Sequence, residues 1–227
     1  MKTTNVVLGA AFSLVLAGVA QASPYQGISI DSLGDMGNGE TYRMYVDMDA
    51  GTRVDAIFGN GAAELSINTA DGMSFYQHTL YGGPTSQSIN NAFFPLAPSL
   101  EWDSYVSIGA LYTNGAPFPS NALLDIGINW ASFEGGGELA TTNGSWFVTP
   151  VDPQGEELGG RVFIGQFTVV GGSGDGYADL IGQISIQGKD ADNVTFQENG
   201  ATWTVVPAPG AIALLGLAGV CSRRRRK

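Results

Sequence analysis

The chain has 227 residues, 44% of them hydrophobic, and a formal net charge of −11 at pH 7, which suits a folded domain of ordinary size. Its acidic surface repels nucleic acid phosphates and anionic lipids, so nucleic acid is excluded as a partner. The single cysteine, Cys221, excludes a disulfide framework, so core packing alone must hold the fold together.

Residues 1–22 are predicted to be a secretory signal peptide. Lys2 supplies the positive charge, residues 6–19 form an apolar core, and Ala20-Gln21-Ala22 is a small-x-small cleavage site. No cysteine follows the apolar core and no twin arginine precedes it, which favours the Sec translocon and signal peptidase over the lipoprotein and twin-arginine routes. We therefore expect export, with cleavage after Ala22.

The exported part, residues 23–205, is predicted to be one domain, and it carries all of the acidic charge. Its 21 acidic residues lie between Asp31 and Glu198 and face only four basic residues, so its net charge is −17. The four basic residues are Arg43, Arg53, Arg161 and Lys189. Such a surface should collect cations, although adaptation to a salty habitat explains it equally well.

Hydrophobic residues in this domain alternate with a period of two, which is typical of half-buried strands. In residues 42–48 the even-numbered positions are apolar or aromatic, and the odd-numbered positions are Arg43, Tyr45 and Asp47. Residues 54–58 alternate again after a turn at 49–51. The two segments together predict a β-hairpin.

Further strands are predicted at 65–67, 74–78, 102–108, 123–130, 146–148, 161–170, 178–187 and 201–205. Glycine and proline clusters separate them, and no segment between residues 24 and 204 has helical periodicity. The sequence therefore predicts an all-β fold, either an antiparallel β-sandwich or a jelly roll. Its core is expected to contain the aromatic residues Phe58, Trp102, Trp130, Trp146, Phe163 and Phe167.

The C-terminal segment, residues 206–227, has three parts. Val206-Pro207-Ala208-Pro209-Gly210 is expected to be extended and exposed, because proline fixes φ and removes an amide donor. Residues 211–220 are apolar and favour a helix, but they fall short of the ~20 residues of an ordinary membrane span. The chain ends in a basic run that favours the cytoplasmic side: Arg223, Arg224, Arg225, Arg226 and Lys227.

This arrangement resembles the PEP-CTERM sorting signal, which exosortase handles in many Gram-negative bacteria. The Val-Pro-Glu-Pro of that signal corresponds to Val206, Pro207, Ala208 and Pro209, with alanine in place of glutamate. The resemblance implies transient insertion into the inner membrane and processing by an exosortase-like enzyme. Residues 41–43, 102–109 and 164–169 also resemble uncharacterised exported proteins that carry this tag, which implies no activity.

The residues offer little for catalysis. His78 is the only histidine, and no Gly-x-Ser-x-Gly surrounds any serine, so a serine triad is not predicted. A glycosidase needs two carboxylates converging on a cleft, for which the adjacent pairs Glu101/Asp103 and Glu156/Glu157 are the candidates. Calcium is the cofactor that the residues suggest, because hard oxygen donors lie in a glycine-rich stretch: Asp175, Asp179, Asp190 and Asp192.

Two classes of function fit these observations. The first is a non-enzymatic protein of the cell envelope, outer surface or extracellular matrix that binds exopolysaccharide through exposed aromatic residues, such as Tyr76, Tyr81 or Tyr112. The second is a secreted carbohydrate-active enzyme or a calcium-dependent glycan-binding module. The scarcity of histidine and basic residues favours the first class. A filled sandwich with shallow grooves would support it, whereas a deep acidic cleft would support an enzyme.

Overall fold

A computed structural model describes residues 23–203, so the predicted signal peptide and sorting tag lie outside the described residues. The prediction of an all-β chain with antiparallel sheets is confirmed. The described residues form twelve strands: β1 (Tyr25–Asp35), β2 (Glu40–Met48), β3 (Arg53–Gly59), β4 (Leu65–Thr69), β5 (Ser74–Phe75), β6 (Tyr105–Val106), β7 (Leu124–Ile126), β8 (Leu139–Thr141), β9 (Gly144–Phe147), β10 (Arg161–Val170), β11 (Leu180–Lys189) and β12 (Thr195–Thr202).

The helices within residues 23–203 are short. The α-helices α1 (Ala131–Glu134) and α2 (Gly176–Asp179) have four residues each. Single 3₁₀ turns lie at Asn91–Phe93, Pro98–Trp102 and Pro153–Gly155. In this part of the chain, no helix has both the length and the hydrophobicity needed to cross a membrane.

The strands form two antiparallel sheets. In the first sheet the order is β1-β2-β10-β5, and β6 also pairs with β10. In the second sheet the order is β7-β9-β3-β11-β4-β8, and β12 also pairs with β11. The longest strands are β1 and β10 in the first sheet and β11 in the second.

The predicted hairpin between residues 42–48 and 54–58 is wrong. Both segments are strands, but β2 pairs with β1 and β10, whereas β3 pairs with β9 and β11 in the other sheet. The chain between them crosses from one sheet to the other, so their apolar faces meet across the core. Alternation identifies a strand and its buried face, but it does not identify the neighbouring strand.

The main core lies between the two sheets. Met44 and Val46 from the first sheet and Ile57 and Ile67 from the second are completely buried in one cluster. Of the six aromatic residues predicted in the core, Trp146, Phe163 and Phe167 are buried, whereas Phe58, Trp102 and Trp130 are only partly buried. The apolar faces that the alternation predicted therefore meet in a two-layer sandwich.

The long connection between β5 and β7, residues 76–123, covers the outer face of the first sheet. It forms a second, smaller cluster, in which Ile89, Leu100 and Tyr105 pack with Phe163 of β10. Residues 102–108 and 123–130 were predicted as strands, but only Tyr105–Val106 and Leu124–Ile126 are strands. The rest of residues 102–108 belongs to this irregular layer. The margin of this layer shapes the groove described next.

Candidate ligand-binding groove

A groove of about 220 Å³ lies beside the paired strands β2 and β10, on the face of the first sheet that points away from the main core. We call it the β2–β10 groove. Its floor comes from the two strands, and its walls come from residues 109–118 and 156–158. The side chains that matter below are Arg43, Tyr45, Phe118, Glu156, Arg161 and Phe163.

A β-bulge brings the floor residues onto one face. In the register of the two strands, Tyr45 lies opposite Phe163 and Arg43 lies opposite Gln166. Phe163 and Gln166 are three positions apart, so ordinary alternation would place them on opposite faces. The register shift between Phe163 and Gly165 inserts one extra residue, and both side chains then lie on the outer face.

Gln166 fixes the position of Arg43. The Gln166 side chain is completely buried, and its Nε2 donates to the carbonyl oxygens of Glu101 at 2.8 Å and Asp103 at 3.1 Å. Since the amide nitrogen is used in this way, Oε1 must point to the other side, where it accepts a hydrogen bond from Arg43 Nε at 3.2 Å. The segment 76–123, which contains Glu101 and Asp103, thus positions the Arg43 guanidinium through the side-chain amide of Gln166.

Arg161 lies over the aromatic floor. Its guanidinium carbon is 3.8 Å from the centre of the Tyr45 ring, which is a cation–π contact, and Tyr45 packs against Phe163 at 5.7 Å. Arg161 Nη2 also forms an ion pair of 2.8 Å with Asp31, and this hydrogen bond raises the pKa of Arg161. The charge of Arg161 is therefore already compensated by a carboxylate.

Arg43 has no such compensation. The ion pairs within the described residues are Arg53–Asp55 and Arg161–Asp31, and Arg43 belongs to neither. Asp31 of β1 lies opposite Arg43 in the strand register, but its carboxylate pairs with Arg161. Besides Gln166, the side chains that interact with Arg43 are the phenols of Tyr45 and Tyr112. Burial raises the pKa of Tyr112, and the nearby Arg43 opposes that rise. Arg43 is thus a half-buried cation without a paired carboxylate, in a domain that is otherwise strongly acidic.

Tyr105 adds an unsatisfied polar group close to Arg43. Its side chain is completely buried, and its hydroxyl has no hydrogen-bond partner among the described residues. Burial raises the pKa of Tyr105 well above its ordinary value, Tyr112 raises it further, and Arg43 lowers it. A phenol in this environment stays neutral and can donate a hydrogen bond.

The four aspartates predicted to bind calcium do not form one cluster. Asp179 directly precedes β11 and Asp190 directly follows it, so the ten-residue strand separates them by roughly 30 Å. Asp175 is exposed at the start of α2. Asp190 and Asp192 share a depression of about 150 Å³ with Asp49. Within residues 23–203, no group of three or more histidine, cysteine or acidic residues has an arrangement suited to a metal ion.

The buried Asp179 has a different role. Its Oδ2 accepts hydrogen bonds from the Tyr42 hydroxyl, from the Ser173 amide at 2.7 Å and from the Gly174 amide at 3.2 Å, and Oδ1 accepts from Ser173 Oγ at 2.7 Å. Burial raises the pKa of Asp179, but these hydrogen bonds together lower it below its ordinary value. The carboxylate therefore holds the loop before α2 against β2. Calcium binding by the remaining aspartates stays a prediction.

The two adjacent carboxylate pairs also separate into different roles. Asp103 is completely buried and accepts hydrogen bonds from the amides of His78 at 2.7 Å and Gly83 at 3.1 Å, so it organises the 78–83 loop. Glu157 accepts from the amides of Gly51 and Gly160. Glu156 and Glu157 line the same depression of about 190 Å³, but Glu157 is engaged by these amides and Asp103 is buried. Neither pair therefore offers the two free carboxylates that a glycosidase needs.

Asp103 is expected to make the stability depend on pH. Burial, which outweighs the hydrogen bonds from the amides, raises its pKa from 3.8 to about 7. The protonated acid is therefore favoured in the folded state, and the stabilisation that it provides is complete below pH 3.8 and is lost as the pH rises through about 7. We expect Asp103→Asn to flatten the decline in melting temperature over this range.

The control for this experiment is Asp71→Asn, which removes the same charge from an exposed position. Thermal unfolding followed by circular dichroism between pH 4 and 7 measures the difference. Self-repulsion of the acidic domain also lowers stability as the pH rises, and it affects both variants similarly. Parallel curves for Asp103→Asn and Asp71→Asn would contradict the assignment.

The predicted glycan-binding tyrosines lie in different places. Tyr112 packs edge-on against Phe94 at 5.2 Å, beside the β2–β10 groove. Tyr81 belongs to a separate exposed patch, where it stacks with His78 at 5.9 Å and contacts Phe93 at 5.2 Å. Tyr76 is partly buried next to β10, where its amide donates to the carbonyl oxygen of Thr168. Of the three, only Tyr112 is close to Arg43.

Sequence reasoning placed Arg43 and Tyr45 on one strand face but missed their partners Phe118, Arg161 and Phe163. The scarcity of basic residues could have suggested Arg161. The domain has only four of them, so two basic residues that come close together in the fold would stand out as a candidate anion-binding site. Comparison with known protein families, with curated proteins and with solved structures finds no match to this chain.

Proposed function

We propose that this protein is an exported, non-enzymatic component of the cell envelope or extracellular matrix that binds polysaccharide in the β2–β10 groove. The observation that carries the proposal is the lining of the groove: aromatic rings of Tyr45, Phe118 and Phe163 beside two guanidinium groups. Sugar rings present C–H faces that pack on aromatic rings, and their hydroxyls accept hydrogen bonds from guanidinium groups.

The ends of the chain support the proposed location. The N-terminal segment has the features of a Sec signal peptide, and residues 206–227 resemble a PEP-CTERM tag. Export by the Sec translocon, transient tethering in the inner membrane and processing by an exosortase-like enzyme would deliver the acidic domain to the outer surface. Intact mass of the protein recovered from the envelope should then lack the terminal basic run, Arg223 to Lys227.

The carboxylates support a binding role over a hydrolytic one. Asp103 and Asp179 are buried and serve as acceptors for backbone amides, and Glu157 does the same at the surface. The carboxylates of Asp49, Asp190 and Asp192 line a depression of only about 150 Å³. Together these features match a binding surface on a filled sandwich.

Cosedimentation with the extracellular polysaccharide of the organism that produces the protein, called the host polysaccharide below, tests the proposal. We expect the full chain to sediment with the polysaccharide, and Phe118→Ala to reduce the bound fraction severalfold, because this ring forms a wall of the groove. Tyr81→Ala, which removes an aromatic ring from the separate patch, is the matched control and should bind normally. New reducing ends in the polysaccharide would instead indicate the enzyme alternative.

A further inference from the structure

We infer that the β2–β10 groove prefers sugars that carry a carboxylate, that is, uronic acid residues, and that Arg43 binds this carboxylate. The inference rests on the proposed function, since it names the class of saccharide that the same groove takes. Four observations support it: the guanidinium without a paired carboxylate, the absence of the acidic excess in the groove, the neighbouring phenols and the aromatic lining.

The first observation is the set of hydrogen-bond donors that Arg43 has available. A guanidinium has five N–H donors, and the Arg43 Nε donor is used by Gln166. The two terminal nitrogens form the planar edge that binds carboxylates in bidentate fashion. The neutral phenols of Tyr45 and Tyr112 also hydrogen-bond with Arg43 and share its donors. Since no carboxylate of the described residues forms an ion pair with Arg43, a carboxylate supplied by a ligand would replace neutral phenols rather than another anion.

The second observation is the local charge. Over the exported domain, acidic residues outnumber basic ones by 21 to four. In the groove lining two arginines face one acid, Glu156. Because Asp31 already compensates Arg161, Arg43 and Glu156 leave the groove close to neutral, without the acidic excess of the rest of the domain. Of the other two basic residues, Arg53 is buried in an ion pair of 2.6 Å with Asp55, and Lys189 lies at the end of β11.

The overall negative charge does not prevent this local preference. At physiological ionic strength the Debye length is about 8 Å, so distant carboxylates are screened whereas direct contacts with Arg43 are not. Long polyanions would still meet repulsion outside the groove. The inference therefore concerns one uronic acid residue seated in the groove, which agrees with a volume of about 220 Å³, below the usual 300–1,000 Å³ of drug-sized pockets.

The third and fourth observations distinguish a sugar acid from a simple anion. Arg161 covers one face of Tyr45 and Phe163 is buried, so the apolar surface open to a ligand comes chiefly from the partly exposed ring of Phe118, which a small inorganic anion could not use. The partly buried Tyr112 lies close to Arg43 and offers a further neutral donor beside the groove. A pyranose ring that carries a carboxylate satisfies both the apolar and the polar parts of the groove.

Isothermal titration calorimetry with two ligands tests the inference. The probes are a galacturonic acid trisaccharide and its neutral galactose counterpart, titrated into the full chain in 0.15 M NaCl. We expect the acid to bind more tightly, and Arg43→Gln to weaken acid binding by about tenfold or more while leaving neutral binding within about twofold, since charge-assisted hydrogen bonds are lost.

Two further variants make the result specific. Lys189→Gln changes the net charge by the same amount at a distant position, so it should leave both affinities unchanged. Arg43→Lys keeps the charge but loses the planar fork, so it should retain part of the preference for the acid. If Arg43→Gln lowers the melting temperature, Arg43→Lys still tests the inference, because it keeps the positive charge at this position.

Three outcomes would overturn the inference. Equal losses for both trisaccharides in Arg43→Gln would show that Arg43 only maintains the shape of the groove. Tighter binding of the neutral trisaccharide would reject the acid preference but leave the proposed function intact. Binding of neither trisaccharide, with no binding of the host polysaccharide, would reject both proposals.

Discussion

Replacement of Trp146 by alanine is expected to lower the free energy of unfolding by about 4 kcal/mol, the largest single effect that we expect in this domain. Trp146 lies on β9, is completely buried, and pairs in register with Ile57 of β3. Its Nε1 donates to the carbonyl oxygen of Ser107 at 2.9 Å, which joins the second sheet to the segment that follows β6. The alanine variant would lose this bond and leave a cavity between the sheets.

Urea unfolding at constant pH measures the loss of stability in Trp146→Ala. Two further variants separate the contribution of the lost hydrogen bond from that of the lost packing. Trp146→Phe keeps most of the apolar volume but loses the hydrogen bond, so about 1–2 kcal/mol is expected. Trp130→Ala, at a partly exposed site next to the core, should cost about 1 kcal/mol. A loss below about 1 kcal/mol for Trp146→Ala, with an unchanged slope in urea, would show that the two sheets are not locked together at this point.

The sequence was sufficient to predict the strands and their buried faces, but not the sheets. Tyr42, Met44 and Val46 were predicted to share one face, and all three are completely buried in the main core. The partners of this strand are Tyr25–Asp35, which was not predicted as a strand, and Arg161–Val170, more than 100 residues later in the chain. Period-two alternation depends on burial alone, so it contains no information about which strand lies alongside.

The groove was even harder to predict from the sequence than the strand partners were. Arg43 and Tyr45 were predicted to point away from the core, and they do. Phe163 and Gln166 join them only because the bulge at Gly165 shifts the register, and no alternation rule predicts a bulge. Glycine also fits this position closely, because a Cβ on Gly165 would lie 3.0 Å from the Tyr105 carbonyl oxygen and 2.9 Å from the Phe167 ring, so a neighbour would have to shift.

Asp179 illustrates why composition alone does not determine the role of a carboxylate. Its neighbours in sequence, Asp175 and two glycines, are typical of a flexible cation site. In three dimensions its partner is Tyr42, which lies 137 positions earlier in the chain. An aspartate in a glycine-rich loop fits either role, and only the distant strand β2 decides between them.

Replacement of Asp179 by alanine is therefore expected to destabilise the domain by about 3 kcal/mol, because it leaves several buried donors without an acceptor. The donors are the Tyr42 hydroxyl, the Ser173 and Gly174 amides and the Ser173 hydroxyl. Asp175→Ala is the matched control, because this residue is exposed and only four positions away, and it should change the stability by less than about 0.5 kcal/mol. Chemical unfolding at neutral pH measures both.

The pH dependence identifies the ionised carboxylate as the cause. Because the pKa of Asp179 in the folded state is below its ordinary value of 3.8, its stabilisation is complete above pH 3.8 and is lost as the pH falls through the folded-state pKa. The gap in stability between the natural protein and Asp179→Asn should thus narrow in acid. Tyr42→Phe completes a double-mutant cycle, in which we expect a coupling of about 1 kcal/mol or more. A gap that stays constant from neutral to acidic pH would show instead that the shape of the side chain, rather than its charge, holds the loop against β2.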